Sequence, residues 1–573
     1  MRNLLLAVII ITIFGCQNKS AISDLEQLNR IIETYQNHEG YDKTKFPLGL
    51  YTKAYFEAEA LFAENLLNEL NAINPNNLSE TQHISFELLK FVLQDQIDYF
   101  SFEQYLNPLL SDSGFHSSLT YEVTPLANYN QIKSYLNKLN AIPEFVNQNI
   151  DNLREGLKKG KSQPLVIFNG YESTYNDHIV DNFEDSFFYS PFKNLPNSLT
   201  NTQKDSILKV AKQAIEVNVT PEFKRIKTFF ETEYLPTTRT TLGVSETPGG
   251  KEFYQNRINY YTTSTQYTAD DIHEIGLKEV ARIKAQMEQI IEDLNFEGSF
   301  EEFFNFLRTD EQFYAKTPEQ LLMIARDMAK RADAQLPKYF KTLPRKPYGV
   351  APVPDAIAPK YTGGRYIETT KESTNPGYYW VNTYNLPSRT LYTLPSLTVH
   401  EAVPGHHLQI SLNNELGDSI PQFRKNLYLS AYGEGWGLYS EFLAEEMGMY
   451  TTPYEQFGKL TYEMWRACRL VVDTGIHSKG WTREQVVNYM ASNTALSLHE
   501  INTETDRYIS WPGQALSYKI GELKIRELRQ KVEKELGTKF NIRDFHEVVL
   551  EQGTVTLSIL EARIRKYILK QKN

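Results

Sequence analysis

Cysteine is nearly absent from this chain, with two among 573 residues, Cys16 and Cys468. So few exclude a disulfide-built scaffold and leave the fold to stand on packed apolar side chains. Long apolar runs are missing as well: beyond residue 16 no stretch approaches the ~18 residues of a spanning helix. There is no excess of positive charge, since 60 Lys and Arg face 71 Asp and Glu for a net charge of −11. That balance speaks against a general attraction to nucleic acid or anionic lipid. The chain also shows no internal repeat, no low-complexity tract and no G-x-S-x-G turn of the serine hydrolase kind. With 41% apolar and 23% charged residues, what remains is a globular composition long enough for a sizeable core.

The N-terminus reads as an address. Met1-Arg2-Asn3 precedes a twelve-residue, largely apolar run from Leu4 to Gly15, too short to span a bilayer and of secretory-signal length. Ile13-Phe14-Gly15-Cys16 resembles the bacterial lipobox. Residues 1–16 are therefore expected to be a signal peptide with lipobox, Cys16 the lipidated N-terminus, and residues 17–24 a tether. The alternative is a simple secretory signal cleaved nearby. The expected location is the cell envelope, facing the periplasm, with the lipid as the only membrane contact. With Cys16 so used, Cys468 has no disulfide partner, and its apolar setting marks it as a packing residue.

Apolar residues at helical spacing, such as Leu25, Leu28, Ile32 and Tyr35, predict a mainly helical region over 25–345. Thr268 and Asp271 make a capping-box start for a helix to about Leu294, and another helix begins near Thr317-Pro318. Six prolines between Leu336 and Lys360 forbid a long helix there. Tyr361–Gly364 and Tyr378–Tyr384 are rich in β-formers and predict a small sheet or hairpin. Helical patterns return from Ser396, including Pro453–Val472, so residues 346–573 read as the catalytic region, joined with the first in one continuous fold.

The informative segment is Val399-His400-Glu401-Ala402-Val403-Pro404-Gly405-His406-His407-Leu408-Gln409. Five His-Glu pairs occur in the chain, but only the one at His400 has further histidines within two helical turns. Zinc peptidases commonly set two histidines four apart on one helical face, with the intervening glutamate as general base. Here the fourth position is Pro404. His406 lies about 600° around a regular helix from His400, facing away, and His407 lies about 10 Å up the axis. A two-residue bulge at Pro404-Gly405, where a donor is lost and unusual dihedrals are tolerated, would bring His406 to the second ligand position. The bland alternative is a helix break that leaves polar histidines at a turn. A third ligand is available in Gly433-Glu434-Gly435-Trp436-Gly437, with Glu434 as ligand and Glu441, two turns on, behind it.

At these residues the chain resembles the bacterial family of domain of unknown function 885, whose signature H-E-x-x-P-G-H-x-x-Q is met by His400, Glu401, Pro404, Gly405, His406 and Gln409. Gly433-Glu434-Gly435-Trp436, Asp473-Thr474-Gly475-Ile476-His477 and the stretch from Asp506-Arg507-Tyr508 to Lys519 look like the same family. That family in turn resembles the helical zinc peptidases of the thimet oligopeptidase, angiotensin-converting enzyme and carboxypeptidase Taq type. The resemblance implies a mainly α, two-lobed helical shell around a deep cleft, with the small β element ahead of the metal-binding helix. It implies one zinc per chain held by His400, His406 and Glu434, with Glu401 as base and Glu441 and His407 behind the ligands.

Candidate oxyanion donors are Tyr508, which leads, His477 and Tyr518. Arg507 suits a substrate carboxylate through its planar fork, and Tyr361 is placed along the cleft, with the Trp380–Tyr384 strand offering main-chain groups to an extended peptide. The expected activity is a zinc metallopeptidase acting on short peptides, with no nucleic-acid partner. A zinc amidase on a cell-wall or non-peptide amide, and a silent peptide-binding lipoprotein, are the rivals. Zinc, manganese and cobalt stay open, as do exo- and endopeptidase action and oligomeric state. Metal analysis should find about one zinc per chain in His407→Ala and almost none in His406→Ala. The reverse pattern contradicts His406 as the second ligand.

Overall fold

The structure is a computed structural model that describes residues 23–572 apart from 356 and 371–372. The expected signal, the lipobox with Cys16 and residues 17–22 of the tether lie outside the described residues. The last two tether positions already belong to the fold: Ser23 caps the first helix, Asp24–Gln36, in a reciprocal capping box with Glu26.

The chain is 69% helix and 3% strand, which fixes the class as mainly α. Eight helices position the site. They are α1 (Ala269–Asp293), α2 (Pro318–Tyr339), α3 (Leu394–Glu401), α4 (His406–Asn414), α5 (Ser430–Glu446), α6 (Pro453–Lys479), α7 (Leu498–Ser510) and α8 (Ser517–Leu536). Capping chemistry sets the starts of α1 and α2: Thr268 with Asp271 closes a full capping box, and Thr317 accepts from the Gln320 amide ahead of Pro318. Helix α6 runs two turns beyond the expected Val472, until Gly480 ends it in the left-handed conformation at φ 69°.

Two large cores and two smaller ones pack the described residues. One large core joins residues between Leu109 and Phe313 to Phe457–Ala515. The other joins Leu28–Leu93 to residues from Ala332 to Tyr450 and from Ile525 to Ile568. Each large core draws on distant parts of the chain; α6 packs into the first and α8 into the second, and Leu470 of α6 meets Ile520 of α8 in a smaller cluster. Where α1, α6 and α8 meet, fully buried Lys519 pairs with Glu279, Glu463 and Glu522 at 2.9–3.0 Å. Three carboxylates offset the cost of burying one ammonium and lock the register of these helices.

The prolines after α2 give way to a three-stranded sheet of β1 (Tyr348–Pro352), β2 (Gly364–Ile367) and β3 (Gly377–Val381) in the order β1-β3-β2. β3 runs parallel to β1 and antiparallel to β2. Both edges of β3 are thus occupied, which corrects the expectation that the strand at Trp380 offers its main chain to a peptide. The strand beside the site is β2.

Helices α5 and α8 cross at backbone contact. A Cβ on Gly435 would stand 2.6 Å from the Cα of Gly521, and one on Gly521 would stand 1.9 Å from the Ala431 carbonyl oxygen. Gly435→Ala should therefore lower stability by about 1–3 kcal/mol in chemical denaturation, as overpacking does. Gly417→Ala, with nothing within 4 Å of its Cβ, should leave stability unchanged.

Candidate metal centre

Helix α3 stops at Glu401 because Pro404 has no amide to continue it. Ala402 and Gly405 turn the chain with ψ angles of −106° and −128°, the Val403–Pro404 peptide is cis, and α4 begins at His406. The expected bulge in one continuous helix is thus a break between two helices, made by a tight turn. Its amides find acceptors inside the turn, Gly405 at the Val399 carbonyl (2.9 Å) and His407 at that of Ala402 (3.0 Å), while Trp436 Nε1 donates to the Pro404 carbonyl at 2.8 Å. A Cβ on Gly405 would lie 1.9 Å from the His400 carbonyl oxygen, so the turn closes only around glycine.

The turn sets the His400 and His406 rings nearly perpendicular, with centroids 4.8 Å apart. From α5, Glu434 Oε2 stands 3.4 Å from Nε2 of each histidine. The three donor atoms lie within 4.8 Å of one another, the one such His/Cys/Asp/Glu group among the described residues. With zinc–ligand bonds of about 2.0–2.1 Å, neighbouring donors of a tetrahedral zinc stand about 3.3–3.4 Å apart. The donor types suit zinc, and the two separations from Glu434 match this spacing. Behind it, Glu441 Oε1 meets His400 Nδ1 at 2.7 Å, with both side chains almost wholly buried. This bond holds the Nδ1 proton and turns Nε2 toward Glu434. Gly437 makes the approach possible, since a Cβ there would lie 2.7 Å from the His400 ring.

The electrostatics call for positive charge. Burial pushes His400 down, but hydrogen bonds to Glu434 and Glu441 and the charges of Glu441 and Glu401 outweigh it and raise the imidazole to about 10. Burial pushes Glu434 up, and His406 and His400 outweigh it and hold the carboxyl well below its usual range. Protons or a divalent cation can meet that demand. Glu401, at the end of α3, takes the Tyr366 amide of β2 on Oε2 at 2.8 Å, which keeps the carboxylate beside the cluster.

His407 is not in the donor cluster. Its Nδ1 meets the Tyr366 hydroxyl at 3.1 Å and Ser411 Oγ at 3.2 Å, its ring packs on Tyr348, and burial lowers it to about 4. It ties α4 to β2, and so supports Glu401 through Tyr366. Tyr361 is half-buried and feels the charge of Glu401, and Tyr518 is half-buried and feels that of Glu434.

Two expected donors have other work, which corrects their assignment. His477 is fully buried; the Val244 amide donates to Nδ1 at 3.2 Å and Nε2 donates to the Tyr508 carbonyl at 2.9 Å. Tyr508 is 1% exposed, and its hydroxyl accepts from Trp465 Nε1 and Arg469 Nε, both at 2.9 Å. Both residues satisfy buried polar groups and hold helices together. Arg507 spends its fork on Glu504, at 3.2 and 2.9 Å. The residue that sequence reasoning missed is Tyr428, whose hydroxyl donates to Glu434 Oε1 at 3.1 Å while the side chain stays open to solvent. The signal was Gly433: a Cβ there would sit 2.5 Å from the Tyr428 ring.

Fold and site together define a mainly helical protein with a His-His-Glu cluster that could hold a cation and a glutamate at its edge. The pattern of a bacterial protein family of unknown function, DUF885, matches residues 34–564, and the chain belongs to this family. It is similar to the crystal structure of a candidate lipoprotein from Colwellia psychrerythraea, with 26% identity and a TM-score of 0.84 over 96% of this chain and 100% of that one. A candidate lipoprotein of unknown function from Shewanella oneidensis shares the fold at 18% identity, with a TM-score of 0.68 over 94% of this chain and 97% of that one. No curated protein matches the chain.

Glu441→Ala leaves His400 Nδ1 without its carboxylate. Zinc affinity should fall by about 10- to 100-fold, measured by titration against a competing chelator.

Proposed function

We propose that this protein is a zinc-dependent hydrolase of the cell envelope that cleaves the peptide bonds of short peptides. The observation that carries the reading is the spacing of His400, His406 and Glu434, with two donor separations of 3.4 Å, beside a glutamate that is not itself in the donor set. A purely structural metal site is closed by four protein ligands, whereas three ligands with a free carboxylate alongside are the pattern of a hydrolytic centre.

Zinc held by these three side chains supplies Lewis acidity and lowers the pKa of water. Glu401 accepts a proton from the attacking water and returns it to the leaving amine. The Tyr366 amide keeps that carboxylate aimed during both transfers. Tyr428, whose hydroxyl lies on Glu434, is placed to turn its proton to the oxyanion, and Tyr518 is the second donor of this kind. Glu441 holds His400 in one tautomer throughout. The lipobox-like Ile13–Cys16 and the likeness to the Colwellia candidate lipoprotein support an exported chain tethered by lipid on Cys16.

The test is hydrolysis of a short-peptide library by zinc-loaded protein and variants. Glu401→Gln should keep zinc and lose about 10²- to 10⁴-fold in kcat. Tyr428→Phe should keep zinc and lose about 10²- to 10³-fold. Hydrolysis that survives Glu401→Gln unchanged, or a wild-type protein that cleaves nothing with zinc bound, contradicts the proposal.

A further inference from the structure

Beside the metal centre lies a second polar cluster of opposite sign. Helix α6 carries Arg466 and Arg469, 7% and 2% exposed, one turn apart. Their guanidinium faces are clamped by aromatic rings: Trp465 stands 4.5 and 4.3 Å from the two Cζ atoms, Tyr462 is 4.8 Å from that of Arg466, and Tyr518 is 4.7 Å from that of Arg469. Stacking fixes the planes and leaves the in-plane N–H groups to bind. Yet Arg466 Nε and Arg469 Nη1 are buried without a hydrogen-bond partner among the described residues. Arg466 makes only a 3.4 Å contact to the Tyr462 carbonyl.

The local charge is not balanced. Arg389, Arg466 and Arg469 act on Glu500, and Arg469 and Arg507 on Glu504, so four arginines surround two carboxylates. Glu504 is already shared between Arg469 and Arg507. Glu500 is exposed and forms no ion pair with these arginines among the described residues. In a chain of net charge −11, an arginine cluster with unused buried donors is a place for an anion.

Tyr518 links this cluster to the metal centre. Its ring lies on Arg469, and it feels the charge of Glu434 on the other side. Tyr428, bonded to Glu434, is also within electrostatic reach of Tyr518. We propose that Arg466 and Arg469 form a carboxylate-binding subsite that anchors the substrate a few residues from the scissile bond. The anchored group is the free C-terminus of a short peptide or an acidic side chain near it. This rests on the hydrolase reading for the reaction but not for the binding. Anchoring a C-terminus here makes the enzyme trim peptides from that end.

The experiment uses three N-acetylated tripeptides: Ala-Ala-Ala as the free acid, the same peptide as its C-terminal amide, and Ala-Ala-Glu as its C-terminal amide. Hydrolysis is followed with wild type, and binding by calorimetry with zinc-loaded Glu401→Gln, with and without Arg466→Gln. The acid should bind at least about tenfold more tightly than the trialanine amide. Arg466→Gln should remove about tenfold to a hundredfold of the acid affinity and leave the amide unchanged, which also controls for folding. Tight binding of the glutamate amide places the carboxylate on a side chain; weak binding places it at the C-terminus. Binding of both the acid and the glutamate amide no tighter than that of the trialanine amide, no binding of any of the three, or an equal loss of all in Arg466→Gln overturns the subsite, whatever the hydrolysis assay shows. A preference for the acid without hydrolysis of any peptide overturns the hydrolase reading and leaves the subsite standing.

Discussion

Burying charge is expensive, and the structure around His400 is organised by how that cost is met. Glu441 is 1% exposed and Glu434 is mostly buried, with Glu401 at the edge. Isolated carboxylates at such depth would shed their charge. Here the imidazoles of His400 and His406 stand among them, and the proposed cation would take the place of protons in the set. The 2.7 Å bond from His400 to Glu441 is the fixed point, because it decides which ring nitrogen faces Glu434.

Glycine makes this arrangement sterically possible. On α5, Gly433 admits the Tyr428 ring, Gly435 admits the backbone of α8, and Gly437 admits the His400 imidazole. One run of residues thus sets the ligand, its hydroxyl partner, the helix crossing and the first histidine. The turn at Gly405 does the same for the second histidine, and Trp436, from the same run, holds that turn by its indole N–H. Side chains at these glycine positions would push apart elements that the chemistry needs in contact.

Much of the fold is legible in the sequence where the signal is local. Thr268 and Thr317 mark helix starts, the prolines after Leu336 mark the passage to strands, and the apolar spacing marks the helical class. The meeting of His400, His406 and Glu434 is legible too, although the expected bulge is a break between two helices. What was not legible depends on which helices pack together. Tyr428 becomes part of the site only when its loop folds over α5, and the arginine cluster arises only where α6, α7 and α8 converge. His477 and Tyr508 misled for a related reason. They lie in motif-like segments, but their polar atoms answer the hydrogen-bonding needs of a buried backbone and a buried arginine.

The central claim is that one cation sits between α3, α4 and α5. Anomalous diffraction at the zinc edge, from crystals of zinc-loaded protein, tests it without reference to any substrate. The expected result is one peak about 2.0–2.2 Å from His400 Nε2, His406 Nε2 and a Glu434 carboxylate oxygen, with a position left open toward Glu401. A peak bound by other residues, with His407 in place of His406, or no peak at this site in zinc-loaded crystals, would contradict it.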